Sequence, residues 1–294
     1  MTRVTSLASH PLPPRSRWEP LLEAAIAEDL GAGDVTSQIT FDPSDSASAR
    51  IEARQDLVVC GLPIAAAVFE HVDATLRVEP VLAEGERARP YEPVLRLRGA
   101  VRGLLAAERT ALNFLGRLCG IASHTRRYVD AVAGTRARIV DTRKTLPGWR
   151  VLDKYAVVVG GGTNHRMGLY DGILLKDNHA AAAGGLERAV KRALAEAPSG
   201  LRVQVEVQSL EEALIAIGAG ASFLLLDNLT PEITMLIVER CGEGTVLESS
   251  GGITLDNVRA FAETGVQRIS IGALTHSAPS ADIALEIEPG GGPR

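Results

Sequence analysis

The chain has 294 residues, is 46% hydrophobic and carries a formal net charge of −5, which allows a full core in one large α/β domain or two smaller ones. The acidic balance and an aromatic content of 4% exclude a nucleic-acid binder, which needs basic surface and stacking platforms. No apolar run reaches the ~20 residues of a bilayer span, so no membrane partner is expected.

In chain order, residues 1–17 (MTRVTSLASHPLPPRSR) lack the apolar stretch of a secretory signal and read as a disordered leader. Residues 18–125 read as a small α+β domain. SARIEARQDLVVCG, TLRVEPVLAEGERA and EPVLRLRG are patterned as strands. A short helix is expected near Pro63–His71, and a long helical stretch fills roughly 101–132. Cys60, Cys119 and Cys241 are far apart. They fit neither a zinc spacing nor an even disulfide framework, so a reducing cytoplasm is expected.

The rhythm changes over 126–274. Short apolar, β-branched runs recur: RIVDTRK (138–144), DGILLKDN (171–178), VQVEVQS (203–209), SFLLLDN (222–228), TVLESSGG (245–252) and RISIGAL (268–274). Helical patterns lie between most of them. Ser209-Leu-Glu-Glu212 is a capping box and Gly218 can close that helix. Thr230-Pro231 puts Pro at the first helical position, with Gly242 beyond the end. Thr254 is expected to cap LDNVRAFAET, and Gly265 to end it.

Strands apolar on both faces and joined by helices make a parallel sheet. The later ones repeat every ~20–25 residues, the spacing of βα units. Six in series suggest a closed α/β barrel, whose chemistry sits at the C-terminal strand ends. No G-x-G-x-x-G turn supports a Rossmann domain. Residues 288–294 (EPGGGPR) read as a disordered tail.

Those strand ends are charged. The stretch 141–179 holds six Lys/Arg and two His against four Asp. Thr142, Arg143 and Lys144 end one strand, Lys176 ends the next, and His165 and Arg166 follow the triplet Gly160–Gly162. Taken singly these are ordinary solvated charges. Taken together at one rim they suit a ligand with several anionic groups, Arg by bidentate contact and Lys as a point charge. The triplet is no P-loop, because no G-K-[ST] follows; alone it reads as a flexible loop, and ahead of Thr163-Asn164-His165-Arg166 it can bring backbone N–H groups to an anion. Ser249-Ser250-Gly251-Gly252 ahead of a helix is a phosphate cradle or an ordinary tight turn, with Ser270 and Gly272 as its partner at the next strand end. Glu206 and Asp227 lie in apolar strands and need partners there: Mg²⁺, sugar hydroxyls or the cations. His10, His71, His124 and His276 show no ligand spacing, and His179 is a candidate for the rim.

DTRKTLPGWRVLDKYAVVVGGGTNHRMGLYDGILLKDNH (141–179) closely resembles the signature of the quinolinate phosphoribosyltransferases. So do EDLGAGDVTS (28–37), ERTALNFL (108–115), VEVQSLEEA (205–213), LLLDN (224–228), ESSGGI (248–253) and ISIGALTHSAPSADIAL (269–285). The resemblance implies an N-terminal α+β sandwich, completed by 275–287, beside an incomplete TIM-like α/β barrel of about six to seven strands. It implies transfer of phosphoribosyl from phosphoribosyl pyrophosphate to quinolinate with decarboxylation, Mg²⁺ as cofactor, and a homodimer in which Arg109 reaches the partner's site. It also implies that Arg109, Thr142, Arg143, Lys144, His165, Arg166 and Lys176 bind substrate and that Ser250, Gly251, Gly252, Ser270 and Gly272 cradle the 5′-phosphate. Glu206 and Asp227 are implied to hold the ribose and, directly or through water, the metal. Lys144, Lys176, Glu206 and Asp227 are implied to be catalytic.

Three other readings compete. A phosphoribosyltransferase for another pyridine or purine would keep the cradle. A Schiff-base aldolase would use Lys176 as its amine. A nucleotide sensor on a decayed enzyme fold would have lost catalytic residues, and none is missing.

Overall fold

A computed structural model of the chain describes residues 11–242 and 244–288. Residues 1–10 of the expected leader and 289–294 of the expected tail lie outside the described residues. Arg15–Arg17, read as leader, form a 3-10 turn, and Trp18 Nε1 donates to the Pro13 carbonyl at 3.0 Å.

In chain order the elements are α1 (Glu19–Leu30), α2 (Val35–Thr40), β1 (Ser46–Ala53), β2 (Leu57–Val58), α3 (Leu62–Val72), β3 (Arg77–Pro80), β4 (Arg87–Ala88), β5 (Pro93–Ala100) and α4 (Val101–Ala131). There follow β6 (Arg138–Val140), α5 (Arg150–Val159), β7 (Ile173–Leu175), α6 (Asp177–Ala182), α7 (Leu186–Glu196), β8 (Val203–Val207), α8 (Leu210–Gly218) and β9 (Phe223–Asp227). The last are α9 (Pro231–Cys241), β10 (Val246–Ser250), α10 (Val258–Glu263), β11 (Arg268–Ser270), α11 (Ala273–His276) and β12 (Ile283–Ile287).

Contacts divide the chain into two units. One is Met1–Arg126 with Thr145–Gly161 and Ser277–Arg294; the other is Arg127–Lys144 with Gly162–His276. The segment 145–161, read from sequence as part of 126–274, groups with the first unit.

The first unit is built on an antiparallel sheet in the order β12-β1-β5-β3, with Ile51 paired to Leu285 on one side and Leu95 on the other. On α4, Leu104, Ala107, Ala111, Leu115, Leu118 and Ala122 recur at intervals of three and four and are fully buried, the stripe of a core-facing helix. Each such Leu contributes about 2 kcal/mol over an exposed one. The N-terminus of α3 is capped from outside its own segment: the Glu84 carboxylate accepts from the N–H groups of Gly61 and Leu62 and from the Tyr155 hydroxyl at 2.7 Å. Arg117 donates two hydrogen bonds to the buried Asp153 carboxylate, at 2.8 and 2.7 Å, and its guanidinium lies over Trp149, which stacks on Phe114.

In the second unit six parallel strands run in the order β6-β11-β10-β9-β8-β7. Each is short; β9, Phe223-Leu-Leu-Leu-Asp227, is largely apolar on both faces, whereas β8 (VQVEV) and β10 (VLESS) carry polar residues on one. Among the described residues β6 and β7 are not paired to each other, so the barrel is the incomplete one that the resemblance implied, with six strands, and not the closed one that the repeat suggested. Ser209 caps α8 by accepting from Glu212 N–H, and Thr230 caps α9 ahead of Pro231. The expected Thr254 cap differs. The helix starts three residues later, at Val258, because Asn257 Oδ1 accepts from Thr254 N–H and folds 254–257 into a turn.

Candidate active site

The ends of β9, β10 and β11 are level: Asp227 pairs in register with Ser250, and Ser250 with Ser270. Parallel strands in this register carry their last side chains to one rim, and a cavity of about 420 Å³ opens there. Its lining includes Thr142, Arg143, Lys144, His165, Arg166, Lys176, Glu206 and Asp227 on the charged side. Ser250, Gly251, Gly252, Ser270 and Gly272 line it on the other. Of the site residues that the resemblance implied, all except Arg109 therefore meet in one cavity. Arg109 is exposed on α4, in the first unit, and is not part of the lining.

Hydrogen bonds and an ion pair hold the charged segments in place. After β6, Thr142 Oγ1 accepts from Lys144 N–H at 3.0 Å, and the Lys144 carbonyl accepts from the Thr275 hydroxyl at 2.7 Å. Gly272 leaves the space for this arrangement, since a Cβ there would crowd Lys144 and His276. Arg166 Nη1 donates to the Gly172 carbonyl at 2.9 Å. Burial, then the neighbouring Arg143 cation, holds the Arg166 guanidinium below its ordinary pKa. Lys176 Nζ lies 2.9 Å from Glu206 Oε2, so of the partners left open for Glu206 the cation is the one it has here. Asp227 Oδ2 accepts from Asn228 Nδ2 at 2.8 Å.

The glycine turn needs its glycines. Gly251 and Gly252 have φ of 92° and 62°, and a Cβ on Gly251 would overlap Asn228. The carbonyl of Gly252 accepts from Asn257 Nδ2. The resulting open backbone beside Ser250 is a surface that a phosphate can approach closely.

Of the triplet Gly160–Gly162, Gly160 caps α5, and a Cβ there would overlap Ala122 and Thr125 of α4; close packing explains that glycine. His179 accepts from Lys176 N–H through Nδ1 and does not line the cavity. His276 does line it, although no ligand spacing marks it. Sequence reasoning also passed over the buried groups around His165: Asp141, Gln204 and Glu248. Asp141 Oδ1 accepts from His165 N–H at 2.8 Å. Alternation was the available signal, because Gln204 and Glu206, like Glu248 and Ser250, share a strand face.

Two family models match the chain: the quinolinate phosphoribosyl transferase N-terminal domain over residues 34–119 and the C-terminal domain over 121–286. The chain belongs to the quinolinate phosphoribosyl transferase family. As a member, it is 40% identical over 267 residues to the probable nicotinate-nucleotide pyrophosphorylase [carboxylating] of Bacillus subtilis, covering 91% of this chain and 92% of the relative. It is 42% identical over 272 residues to the Mycobacterium leprae nicotinate-nucleotide pyrophosphorylase [carboxylating], covering 90% and 95%. Among solved structures, the Francisella tularensis nicotinate-nucleotide pyrophosphorylase superposes with a TM-score of 0.89 at 34% identity, covering 94% of this chain and 98% of that one.

Proposed function

We propose that the chain transfers a phosphoribosyl group from 5-phosphoribosyl 1-pyrophosphate to the ring nitrogen of quinolinate, with decarboxylation. The products are nicotinate mononucleotide, pyrophosphate and CO₂, in de novo NAD biosynthesis. The observation that carries this reading is the composition of one cavity: Arg143, Lys144, Arg166 and Lys176 face Glu206 and Asp227 beside a glycine turn. A dicarboxylate and a sugar bearing a phosphate and a pyrophosphate together require that many cations.

In this reading Arg143 and Arg166 take the two carboxylates of quinolinate, for which the guanidinium fork is suited. Ser250, Gly251, Gly252, Ser270 and Gly272 receive the 5′-phosphate. Glu206 and Asp227 hold the ribose hydroxyls. Their negative charge also favours the positive charge that builds at C1 as the bond to pyrophosphate breaks. Lys144 and Lys176 neutralise the departing pyrophosphate. The new C1–N bond makes the ring a pyridinium, whose positive nitrogen stabilises the in-plane electron pair left on the adjacent carbon when its carboxylate departs as CO₂; a proton from solvent then takes that pair and completes nicotinate mononucleotide. Lys144 steers the departing carboxylate.

Glu206 and Asp227 would hold Mg²⁺. Among the described residues no group of three or more His, Cys, Asp or Glu gathers to bind a metal. Two carboxylates suffice for Mg²⁺, which keeps waters and takes the rest of its ligands from substrate phosphates. The ion, when bound, supplies charge neutralisation to the pyrophosphate.

The same reading assigns Arg109 to the cavity of a second copy in a homodimer, and sedimentation at working concentration tests it. It places the enzyme in the cytoplasm. Cys60, Cys119 and Cys241 are free thiols, and no helix among the described residues is long and apolar enough to cross a membrane.

The deciding experiment is pyrophosphate release with Mg²⁺ and phosphoribosyl pyrophosphate, run with quinolinate and with nicotinate. Turnover with quinolinate alone, forming CO₂, is the expected result. Turnover with nicotinate alone overturns the assignment of Arg143 and Arg166.

A further inference from the structure

Below the cavity the barrel interior carries a polar layer that none of the transfer steps uses. Residues two apart on a strand share a face, so Gln204 lies one layer beneath Glu206 on β8, and Glu248 one layer beneath Ser250 on β10. Glu248 is fully buried and Gln204 nearly so. Glu248 Oε2 accepts from Arg268 Nε at 2.6 Å, across a paired position of β10 and β11. Its Oε1 makes no hydrogen bond and lies 3.5 Å from His165 Nε2. Gln204 Oε1 lies 2.9 Å from the same nitrogen.

The other ring nitrogen settles where the proton is. His165 Nδ1 is 2.7 Å from the backbone N–H of Arg166. A backbone N–H only donates, so Nδ1 accepts and carries no proton. The ring proton is then on Nε2, aimed at Gln204 and Glu248, and the imidazole is neutral.

We propose that Glu248 and Gln204 are positioning residues for this enzyme: they hold His165 as the neutral Nε2–H tautomer, and His165 in turn fixes the Arg166 backbone so that its guanidinium faces the cavity. Arg268 compensates the buried Glu248 charge and keeps that carboxylate oriented. His165 thus contributes orientation rather than a positive charge. The consequence for catalysis rests on the reading of Arg166 as a quinolinate ligand; the tautomer does not.

The test uses the full chain labelled with ¹⁵N-histidine, the His165 ring being identified as the signal lost in His165→Asn. At pH 7 the expected spectrum has Nε2 protonated and Nδ1 bare. In the double variant Gln204→Leu/Glu248→Gln a mixed tautomer population is expected. The KM for quinolinate should rise about tenfold and that for phosphoribosyl pyrophosphate stay within about twofold, the pattern of a lost ground-state contact to one substrate. An Nδ1–H or doubly protonated His165 in the unaltered chain overturns the proposal, whether or not the variant folds. A folded double variant that keeps the single tautomer overturns it too, whatever its rates. So does a shifted tautomer with unchanged KM for quinolinate. Failure of the unaltered chain to use quinolinate would strike the functional reading alone and leave the tautomer result to stand.

Discussion

Lys176 and Glu206, from the ends of adjacent strands β7 and β8, form an ion pair of 2.9 Å inside the cavity. Glu206 is largely buried and Lys176 about half exposed, so the carboxylate has a counter-ion beside it and the ammonium has room to turn toward a ligand. Lys176→Ala removes both. It should lower kcat/KM on the order of 10²-fold, the scale of losing a key electrostatic donor. Initial rates of pyrophosphate release measure this, and near-normal kinetics would remove Lys176 from the machinery.

Arg166 cannot be replaced by lysine. Its Nη1 is committed to the Gly172 carbonyl, and only a planar fork can make that bond and a carboxylate contact together. Arg166→Lys is expected to raise the KM for quinolinate by about tenfold or more, with the melting temperature little changed. Saturation kinetics in quinolinate at fixed phosphoribosyl pyrophosphate provide the check.

Gly251 combines a φ of 92° with a Cβ direction blocked by Asn228. Gly251→Ala should therefore cost about 1–3 kcal/mol in stability. It should also raise the KM for phosphoribosyl pyrophosphate more than that for quinolinate, because the turn is the proposed cradle of the phosphate. Denaturant unfolding and paired KM measurements separate the two effects.

Asp34 caps α2, accepting from Ser37 N–H at 3.1 Å and from the Ser37 hydroxyl. The Ser37 side-chain bond, then its backbone N–H, holds the Asp34 carboxyl below its ordinary pKa of 3.8. The folded pKa lies below the unfolded one, so the stabilisation is complete above pH 3.8 and is lost as pH falls through the lowered value. Asp34→Ala should cost about 1 kcal/mol near neutral pH, as for other caps, and the difference from the unaltered chain should vanish in acid. Urea titrations at pH 7 and pH 3 would detect it; an equal cost at both would assign the loss to packing.

Much of the site was legible because its residues follow strands at fixed offsets. Arg143 and Lys144 after β6, Lys176 after β7, and Ser250–Gly252 after β10 all stand where apolar runs stop, and a parallel sheet gathers such ends at one rim. Gly160 was ambiguous in sequence, because a glycine that lets two helices touch is written the same way as one that lets a phosphate approach. Thr254 misled for a similar reason: Asn257, three residues on, competes for the same local hydrogen bonds and delays α10.

The sequence by itself determined the alternation of short apolar strands with capped helices, the absence of a dinucleotide turn, and the chemical character of the rim. Period and capping are set by neighbours in the chain, so they can be read from it. Local pattern did not give the open barrel or the return of the C-terminal segment to the first sheet. The family resemblance implied both, and the structure gives them as six strands and as β12 paired with β1. Only the tertiary structure grouped residues 145–161 with the first unit. It alone brought Gln204, Glu248 and Arg268 around His165. Those outcomes depend on contacts between residues tens to hundreds of positions apart, and local pattern carries no record of which distant side chain fills a buried space.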